Sequence, residues 1–304
     1  WPRWTWVADR MMFRSRLRDE PNMKKSISIW SFCGNWSLEE KMRLAKDAGF
    51  AGFEIDLSED GPVNLKSTPA DLKPVRALAK KCGLELSGLA TGLYWGANAV
   101  SADPATREQA ARILQQQIEC AAALGIDTIL VVPGAVGVDF IPGAEIVPYH
   151  LAYERAKDFI RAALPLAETA RVTLGIENVW NKFLLSPLEM KAFIDGFGSE
   201  RVGSYLDVGN TLATGYPEHW IAALGARIRR VHFKDYRRAV GGVDGFCDLL
   251  SGDVNWPGVM AELKAAGYQG WVAAEMIPPV PFYKHCPEVL IHNTSRAMDA
   301  IFAL

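Results

Sequence analysis

The chain has 304 residues and a mass of 33.5 kDa, a size typical of a single closed α/β barrel. Hydrophobic residues make up 49% and charged residues 22%, which excludes the disordered, fibrous and coiled-coil classes. The net charge of −2 provides no basic surface for nucleic acid or an anionic membrane, so we expect a small-molecule partner.

Residues 1–22 contain three tryptophans and five arginines and precede Met23-Lys24-Lys25, which resembles a natural start. We therefore expect residues 1–22 to be an extension outside the fold and residues 23–304 to form one catalytic domain. The chain has no signal-peptide core and no apolar run of about 20 residues. Its five scattered cysteines form no CxxC pair, which argues against disulfides and a thiolate zinc site. These features predict a cytoplasmic protein.

From Ser26 onward, short β-rich runs alternate with segments whose apolar residues recur every three or four positions. Helix-start signals precede several of these segments, as in the capping-box pattern Ser37 to Glu40 and the pair Asp103-Pro104. Glycine ends several helical patterns just before the next strand. Eight buried strands are predicted, at residues 26–32, 52–57, 85–90, 128–132, 173–177, 203–207, 228–232 and 271–275.

Repeated strand–helix units fit either a closed barrel or a doubly wound open sheet. The sequence contains no GxGxxG after the first strand and no GxxxxGK[ST], so a nucleotide-binding open sheet and a nucleotide cofactor are disfavoured. We predict a (β/α)8 TIM barrel in a single domain. The long segment 134–148 after the fourth strand is rich in glycine and proline and is expected to cover the active site.

Four consecutive predicted strands end in an ionisable residue: Glu177, Asp207, His232 and Glu275. The carboxyl ends of barrel strands meet at one rim, so these side chains are expected to converge. Three carboxylates at that point would repel one another unless a cation neutralised them. Together with an imidazole they suit one divalent metal ion, such as Mn²⁺, Mg²⁺, Co²⁺ or Zn²⁺.

These residues lie in GIENVWNKF, YLDVGN, RVHFKD and WVAAEM, and EID ends the second strand. With these motifs the sequence from Met23 to Leu304 resembles the xylose isomerase-like TIM barrels of the sugar (phosphate) isomerase and epimerase group, especially ketose 3-epimerases. The resemblance implies one metal ion, most often Mn²⁺, bound by the four strand-end residues. It also implies that Glu177 and Glu275 are the acid/base pair of an isomerase that works through a metal-stabilised cis-enediolate.

Two departures from the epimerase pattern leave the substrate open. Asn210 stands where those enzymes usually have histidine, and Leu184 stands where an acidic residue is common, whereas Arg238 matches their arginine. The alternatives are an aldose–ketose isomerase, or a metal-dependent lyase or hydratase acting on a keto-sugar or keto-glycoside. Barrels of this family commonly form homodimers or homotetramers, which we also expect here.

Other residues are candidate contacts to a sugar or sugar phosphate. Trp95 and Trp180, and less clearly Trp30, are placed to stack on sugar C–H surfaces. Glu54 is a candidate partner for a substrate hydroxyl or for the metal ligand His232. Together with Asn210, the candidate polar and cationic contacts are Lys182, Lys234, Arg238, Lys284 and His285.

Two rival functions fit the sequence less well. The apurinic-site endonucleases of this superfamily share the barrel but have a histidine-rich site for three zinc ions. This chain has five histidines, and only one of them lies at a predicted strand end. Nucleic acid is therefore not expected as a partner. A non-catalytic sugar-binding barrel would tolerate Glu275→Gln without loss of function.

Overall fold

A computed structural model of the chain describes residues 23–276 and 285–304. The expected extension, residues 1–22, and the candidate Lys284 lie outside the described residues. The parallel strands are β1 (Lys24–Ser28), β2 (Gly52–Leu57), β3 (Glu85–Thr91), β4 (Thr128–Val131), β5 (Thr173–Glu177), β6 (Val202–Asp207), β7 (Ile228–Phe233) and β10 (Trp271–Ala274). A short antiparallel ribbon after β7 pairs β8 (Asp235–Tyr236) with β9 (Phe246–Cys247).

The eight parallel strands close on themselves in the order β1-β10-β7-β6-β5-β4-β3-β2, with β1 bonded to both β10 and β2. The helices are α1 (Leu38–Asp47), α2 (Lys73–Lys81), α3 (Pro104–Leu124), α4 (Tyr149–Ala170), α5 (Pro187–Asp195), α6 (Pro217–Leu224), α7 (Trp256–Ala265) and α8 (Pro287–Phe302). This arrangement confirms the predicted (β/α)8 TIM barrel. None of these helices has the length and apolar character that crossing a bilayer requires.

Local sequence explains where the helices begin and end. The Ser37 side chain accepts a hydrogen bond from Glu40 N, and the Glu40 carboxylate accepts one from Ser37 N, which completes the predicted capping box of α1. Asp103 caps α3 and is followed by proline. Helix α3 ends at Gly125, whose φ of 78° lies in the left-handed region that glycine adopts without strain.

The first strand differs from its predicted bounds of 26–32, since it ends at Ser28 and a 3-10 turn covers Ile29–Ser31. The Ser28 hydroxyl accepts a hydrogen bond from Trp30 N, and Phe32 N donates one to Ile29 O. These hydrogen bonds form a turn where the predicted strand would have continued. The predicted strand at 271–275 ends one residue early, which places Glu275 directly after β10.

Polar contacts cross the interior of the barrel. Glu54 on β2 contacts Tyr205 on β6 and His232 on β7, although β2 is bonded only to β1 and β3. Since these strands are not neighbours, the side chains meet inside the barrel. Glu54 and His232 are fully buried and Tyr205 is 1% exposed. Buried apolar side chains of the strands and helices form one continuous hydrophobic core.

Candidate metal centre

Four side chains converge at the C-terminal rim of the barrel. Glu177 and Asp207 end β5 and β6, His232 is the last residue but one of β7, and Glu275 follows β10. One ligand atom from each residue lies within 4.8 Å of the corresponding atoms of the other three. All four side chains are buried. The fold therefore brings together the complete set of residues that the strand ends predicted as metal ligands.

The donor atoms of this cluster fit a divalent cation. Among the described residues, Asp207 Oδ2, His232 Nδ1 and Glu275 Oε2 are buried without a hydrogen bond of acceptable geometry. The Lys234 ammonium lies 3.1 and 2.6 Å from the two carboxylate oxygens, but one ammonium leaves three buried carboxylates short of positive charge, which a bound cation would supply. The set of three carboxylates and one imidazole, without a thiolate, is one that hard or borderline divalent ions prefer.

The carboxylates of the cluster differ in their protonation equilibria. Burial, and then the nearby charge of Glu275, raise the pKa of Glu177 well above its usual range. Burial also raises the pKa of Asp207. For Glu275 burial acts in the same direction, but the charges of Lys234 and His232 outweigh it and lower the pKa of this carboxyl.

Lys234, which was predicted as a substrate contact, lies inside the cluster. Its Nζ is 2.6 Å from Glu275 Oε2 and 3.1 Å from Asp207 Oδ2, and the residue is 7% exposed. Burial opposes the charge, but Asp207 and Glu275 outweigh it and raise the pKa of this ammonium. The same Nζ lies 4.9 Å from the centre of the Phe246 ring. The site therefore contains one permanent cation of its own.

Glu54 fixes the imidazole of His232. Its two carboxylate oxygens lie 3.0 and 2.9 Å from His232 Nε2, and Oε2 also accepts a hydrogen bond from the Tyr205 hydroxyl. With Nε2 held in this way, Nδ1 faces the ligands and lies 3.2 Å from Glu275 Oε2. Partners of this kind set the tautomer and orientation of a metal-binding histidine. Glu54 lies behind His232 and is not among the residues that line the cavity above the cluster, which is described below.

A glycine makes room for this pair of residues. A Cβ atom at Gly88 on β3 would lie 2.6 Å from the Tyr205 hydroxyl and 3.2 Å from Glu54 Oε2. The first distance is shorter than a non-bonded contact allows, so a side chain there would displace the hydroxyl. Glycine at position 88 therefore leaves space for the contact between Tyr205 and Glu54, and Glu54 in turn orients His232.

Asn178 and Asn210 hold the ligand Asp207. Asn178 Nδ2 donates to Asp207 O and Asp207 N donates to Asn178 Oδ1, while Asn210 N donates to Asp207 Oδ1 at 2.8 Å. The Asn210 side chain donates to Asn178 O at 3.1 Å. Asn210 was predicted as a substrate contact, and the structure also gives it this supporting position.

A cavity of about 400 Å³, here called the central cavity, opens above the ligands. It is lined by Trp30, Thr91, Trp95, Leu130, Val132, Phe140, Glu177, Val179, Trp180, Asn210, Lys234, Val243, Phe246 and Glu275. The segment after β4 contributes Phe140 to the wall of the cavity, and the ring of Phe140 packs edge-on against Trp95 at 5.3 Å. Its size and largely apolar walls are typical of a small-ligand site.

Of the remaining predicted contacts, Lys182, Arg238 and His285 belong to the described part of the chain, and none of these three lines the central cavity. Lys182 Nζ is 2.8 Å from Asp139 Oδ2, and the Arg238 guanidinium lies 4.4 Å from the centre of the Tyr216 ring. Lys182 and Arg238 both line a neighbouring cavity. His285 is exposed at the beginning of the second described range.

Several residues of the site were not identified from the sequence, namely Tyr205, Asn178, Phe140 and Phe246. A signal exists for Tyr205, because it lies two residues before Asp207 on the same strand and so faces the same side. Asn178 directly follows a ligand. Phe140 and Phe246 lie in long connections, where spacing carries no information on direction.

Comparisons with known proteins identify the fold family. A family model described as "Xylose isomerase-like TIM barrel" matches residues 42–291. The 2-epi-5-epi-valiolone 7-phosphate 2-epimerase of Actinoplanes sp. is 27% identical over 60% of this chain, and the match spans 61% of that protein. A protein of Haemophilus influenzae named as an L-ribulose-5-phosphate 3-epimerase is 25% identical over 80% of this chain and 84% of its own length.

Solved structures share the same fold. A D-psicose 3-epimerase with D-tagatose from Clostridium cellulolyticum H10 superposes with a TM-score of 0.75 at 16% identity, covering 92% of this chain and 98% of that one. The IOLI protein with a zinc atom superposes with a TM-score of 0.76 at 16% identity and the same coverage. Both sequence relatives and the first of these structures are epimerases by name, in agreement with the prediction of an isomerase.

Proposed function

We propose that this chain, which belongs to the xylose isomerase-like TIM barrel family, is a metal-dependent epimerase that inverts C3 of a ketose. The observation that carries the proposal is the position of Glu177 and Glu275. Both belong to the four-residue metal cluster and both line the central cavity. Two carboxylates beside one substrate are what an epimerisation by two bases requires.

A divalent ion is the proposed cofactor, with Mn²⁺ as the first candidate. Glu177, Asp207, His232 and Glu275 would hold it, and the convergence of their buried donor atoms supports this assignment. When bound, the ion supplies Lewis acidity that makes the C–H bond beside a substrate carbonyl easier to deprotonate. The zinc atom bound to the IOLI protein is consistent with a divalent ion in this fold.

The two glutamates are proposed to act from different sides of the sugar. Glu177 is on β5 and Glu275 follows β10, and β6 and β7 separate these strands in the barrel. One carboxylate removes the proton from the carbon beside the carbonyl, and the other delivers a proton to the opposite face, which inverts the centre. Transfer by a single carboxylate along one face would give aldose–ketose isomerisation instead.

The walls of the central cavity orient the sugar in this proposal. Trp95 and Trp180 offer aromatic faces for C–H surfaces, and Asn210 and Lys234 offer donors for hydroxyl or carbonyl oxygens. The buried ammonium of Lys234 is held by Glu275 and Asp207, so its position is fixed before the sugar binds. Such preorganised donors are the usual source of electrostatic stabilisation in enzymes.

The test is proton NMR in D₂O with the Mn²⁺-loaded protein and a panel of ketopentoses and ketohexoses, with the metal removed by a chelator before each spectrum. Deuterium at C3 together with a new epimer is the expected result. Deuterium at C1 would indicate aldose–ketose isomerisation, and loss of a substituent would indicate the lyase alternative. Asp207→Asn is the matched variant, because it removes a ligand charge and leaves both proposed bases in place.

The proposed partner is a small sugar. We also propose that the protein is cytoplasmic and that it forms a homodimer or a homotetramer. Sedimentation equilibrium of the full chain tests the oligomeric state.

A further inference from the structure

A second cavity of about 360 Å³, here called the side cavity, lies next to the central cavity. The two cavities share Val179, Trp180 and Asn210 as lining residues, so they are separated by one layer of residues. The side cavity lies between the loop after β5 and the 3-10 helix Asn210–Ala213, and Arg238 borders it. Each cavity has the size of a small-ligand site.

Trp180 forms a fixed partition between the two cavities. Its Nε1 donates a hydrogen bond to Asn210 O at 3.2 Å. Its ring centre lies 5.1 Å from that of Tyr236 and 5.0 Å from that of Phe246. Trp180 is nevertheless partly exposed, so a ligand that occupies both cavities would pass its open edge without displacing it.

The loop that forms one wall of the side cavity is held in an uncommon conformation. Lys182 and Leu184 have φ values of 55° and 53°, which non-glycine residues rarely adopt. Asn181 fixes the loop, because its O accepts from Val136 N and its Nδ2 donates to Gly134 O at 2.7 Å. Strained backbone of this kind is concentrated at ligand sites, and here it gives the cavity a preformed shape.

The charged side chains at the side cavity already have partners. Lys182 is paired with Asp139, and the Arg238 guanidinium lies over the Tyr216 ring and donates to Gly215 O at 3.1 Å. An anionic group would have to compete with these contacts. The cavity is therefore poorly suited to a phosphate.

Four aromatic residues line the side cavity, and Trp180 is the partly exposed one, whereas Trp220, Tyr236 and Phe183 lie behind the wall at 2% exposure each. Aromatic surfaces with a few polar groups suit a neutral ring that has apolar faces and hydroxyl edges. A free ketose needs only the central cavity. A second preformed cavity beside it is useful when the substrate carries a second ring.

We propose that the side cavity is a subsite for a neutral glycosyl group, so that the substrate is a ketose with a glycosyl substituent. This inference rests on the proposed function, since it places the ketose in the central cavity. It names the substrate class of that site. The glycosyl ring is expected to contact Trp180 and Arg238, with its hydroxyls at the rim.

The test compares fructose, a set of glucosyl fructoses linked through O1, O4, O5 or O6, and fructose 6-phosphate in the deuterium-exchange assay. Ala213→Trp fills the side cavity from an exposed lining position. Ala222→Trp is the matched control, since Ala222 is exposed on α6 and lines neither cavity. We expect one glucosyl fructose to have a kcat/KM about tenfold above that of fructose. That ratio should fall to about one in Ala213→Trp and persist in Ala222→Trp.

Turnover of fructose without preference for any glucosyl fructose would overturn the subsite and leave the proposed function intact. Preference for fructose 6-phosphate, lost in Ala213→Trp, would assign the cavity to phosphate and also overturn it. If no compound reacts, the proposed function fails, and calorimetric titration with the glucosyl fructoses decides the subsite separately. If a glucosyl fructose binds to the wild type and not to Ala213→Trp, the subsite is supported. If none binds to the wild type, the subsite is overturned.

Discussion

Tyr205 donates a hydrogen bond to Glu54 across the interior of the barrel. The same carboxylate holds His232 Nε2, so the orientation of one proposed metal ligand depends on a tyrosine that has no place in the metal cluster. All three side chains are buried, and solvent cannot replace a lost partner. Removal of the Tyr205 hydroxyl should therefore weaken metal binding.

Tyr205→Phe is expected to weaken Mn²⁺ binding by about tenfold, the lower end of what the loss of such supporting contacts costs. The reason is that Glu54 would no longer be held in place behind His232. Isothermal titration with Mn²⁺ measures the effect. Tyr94→Phe is the matched control, because that buried hydroxyl donates to Gln117 at 2.8 Å, away from the site. Equal affinities in the two variants would contradict the prediction.

Glu275→Gln is expected to lower kcat by about a thousandfold, within the range for loss of a general acid or base. The amide oxygen can still bind a cation but the group cannot carry the proton. Exchange of the substrate C–H in D₂O and metal content after gel filtration are measured together. Glu154→Gln on the exposed side of α4 controls for loss of charge. Retained turnover would remove Glu275 from the acid/base pair.

Removal of the metal ion should lower the melting temperature. Without it, three buried carboxylates are balanced only by Lys234 and His232. A ligand at a hundred times its Kd stabilises the folded state by about 2.7 kcal/mol. Thermal unfolding with a chelator, and again with added Mn²⁺, measures the difference. The response should be lost in Asp207→Asn and kept in Asp158→Asn, where the carboxylate is 80% exposed.

The stability difference between Asp56→Asn and the wild type should depend on pH. Burial raises the pKa of Asp56, although hydrogen bonding to Trp30 and the charge of Lys41 oppose this. A raised folded-state pKa gives stability that is present below the unfolded pKa and lost as pH rises through the folded value. Asparagine does not ionise, so the variant should gain stability relative to the wild type as the pH rises from about 4, the ordinary pKa of aspartate, toward neutrality. Urea unfolding across this window measures the gain, and a difference that shrinks with rising pH would refute it.

The convergence of the candidate ligands could be predicted because a residue that ends a barrel strand has a known position at the rim. All four residues of the cluster were predicted to meet from their strand ends alone. Supporting contacts such as that of Tyr205 with Glu54 depend on which side chains meet across the barrel. No local pattern records that pairing over 151 positions in the chain.

Predictions for the cations were less specific. Lys234 was predicted only as a cationic contact to the substrate. The ribbon of β8 and β9 begins at the next residue, and Phe246 on β9 lies close to the ammonium. Arg238 follows the first strand of this ribbon by two residues, and its guanidinium lies over the Tyr216 ring. The sequence shows that Lys234 and Arg238 are positively charged. It does not show where their side chains point, because both lie in a connection without the periodic pattern of a helix or strand.

The close approach of Gly88 to the Tyr205 hydroxyl couples two positions that are 117 residues apart in the chain. Neither position can change freely while the other stays the same. Evolutionary replacement of Gly88 by alanine is expected to occur only together with a shorter residue at 205. Relatives of this protein should therefore fall into two classes, one with glycine and tyrosine and one with both replaced. The second class would need another way to support the histidine ligand.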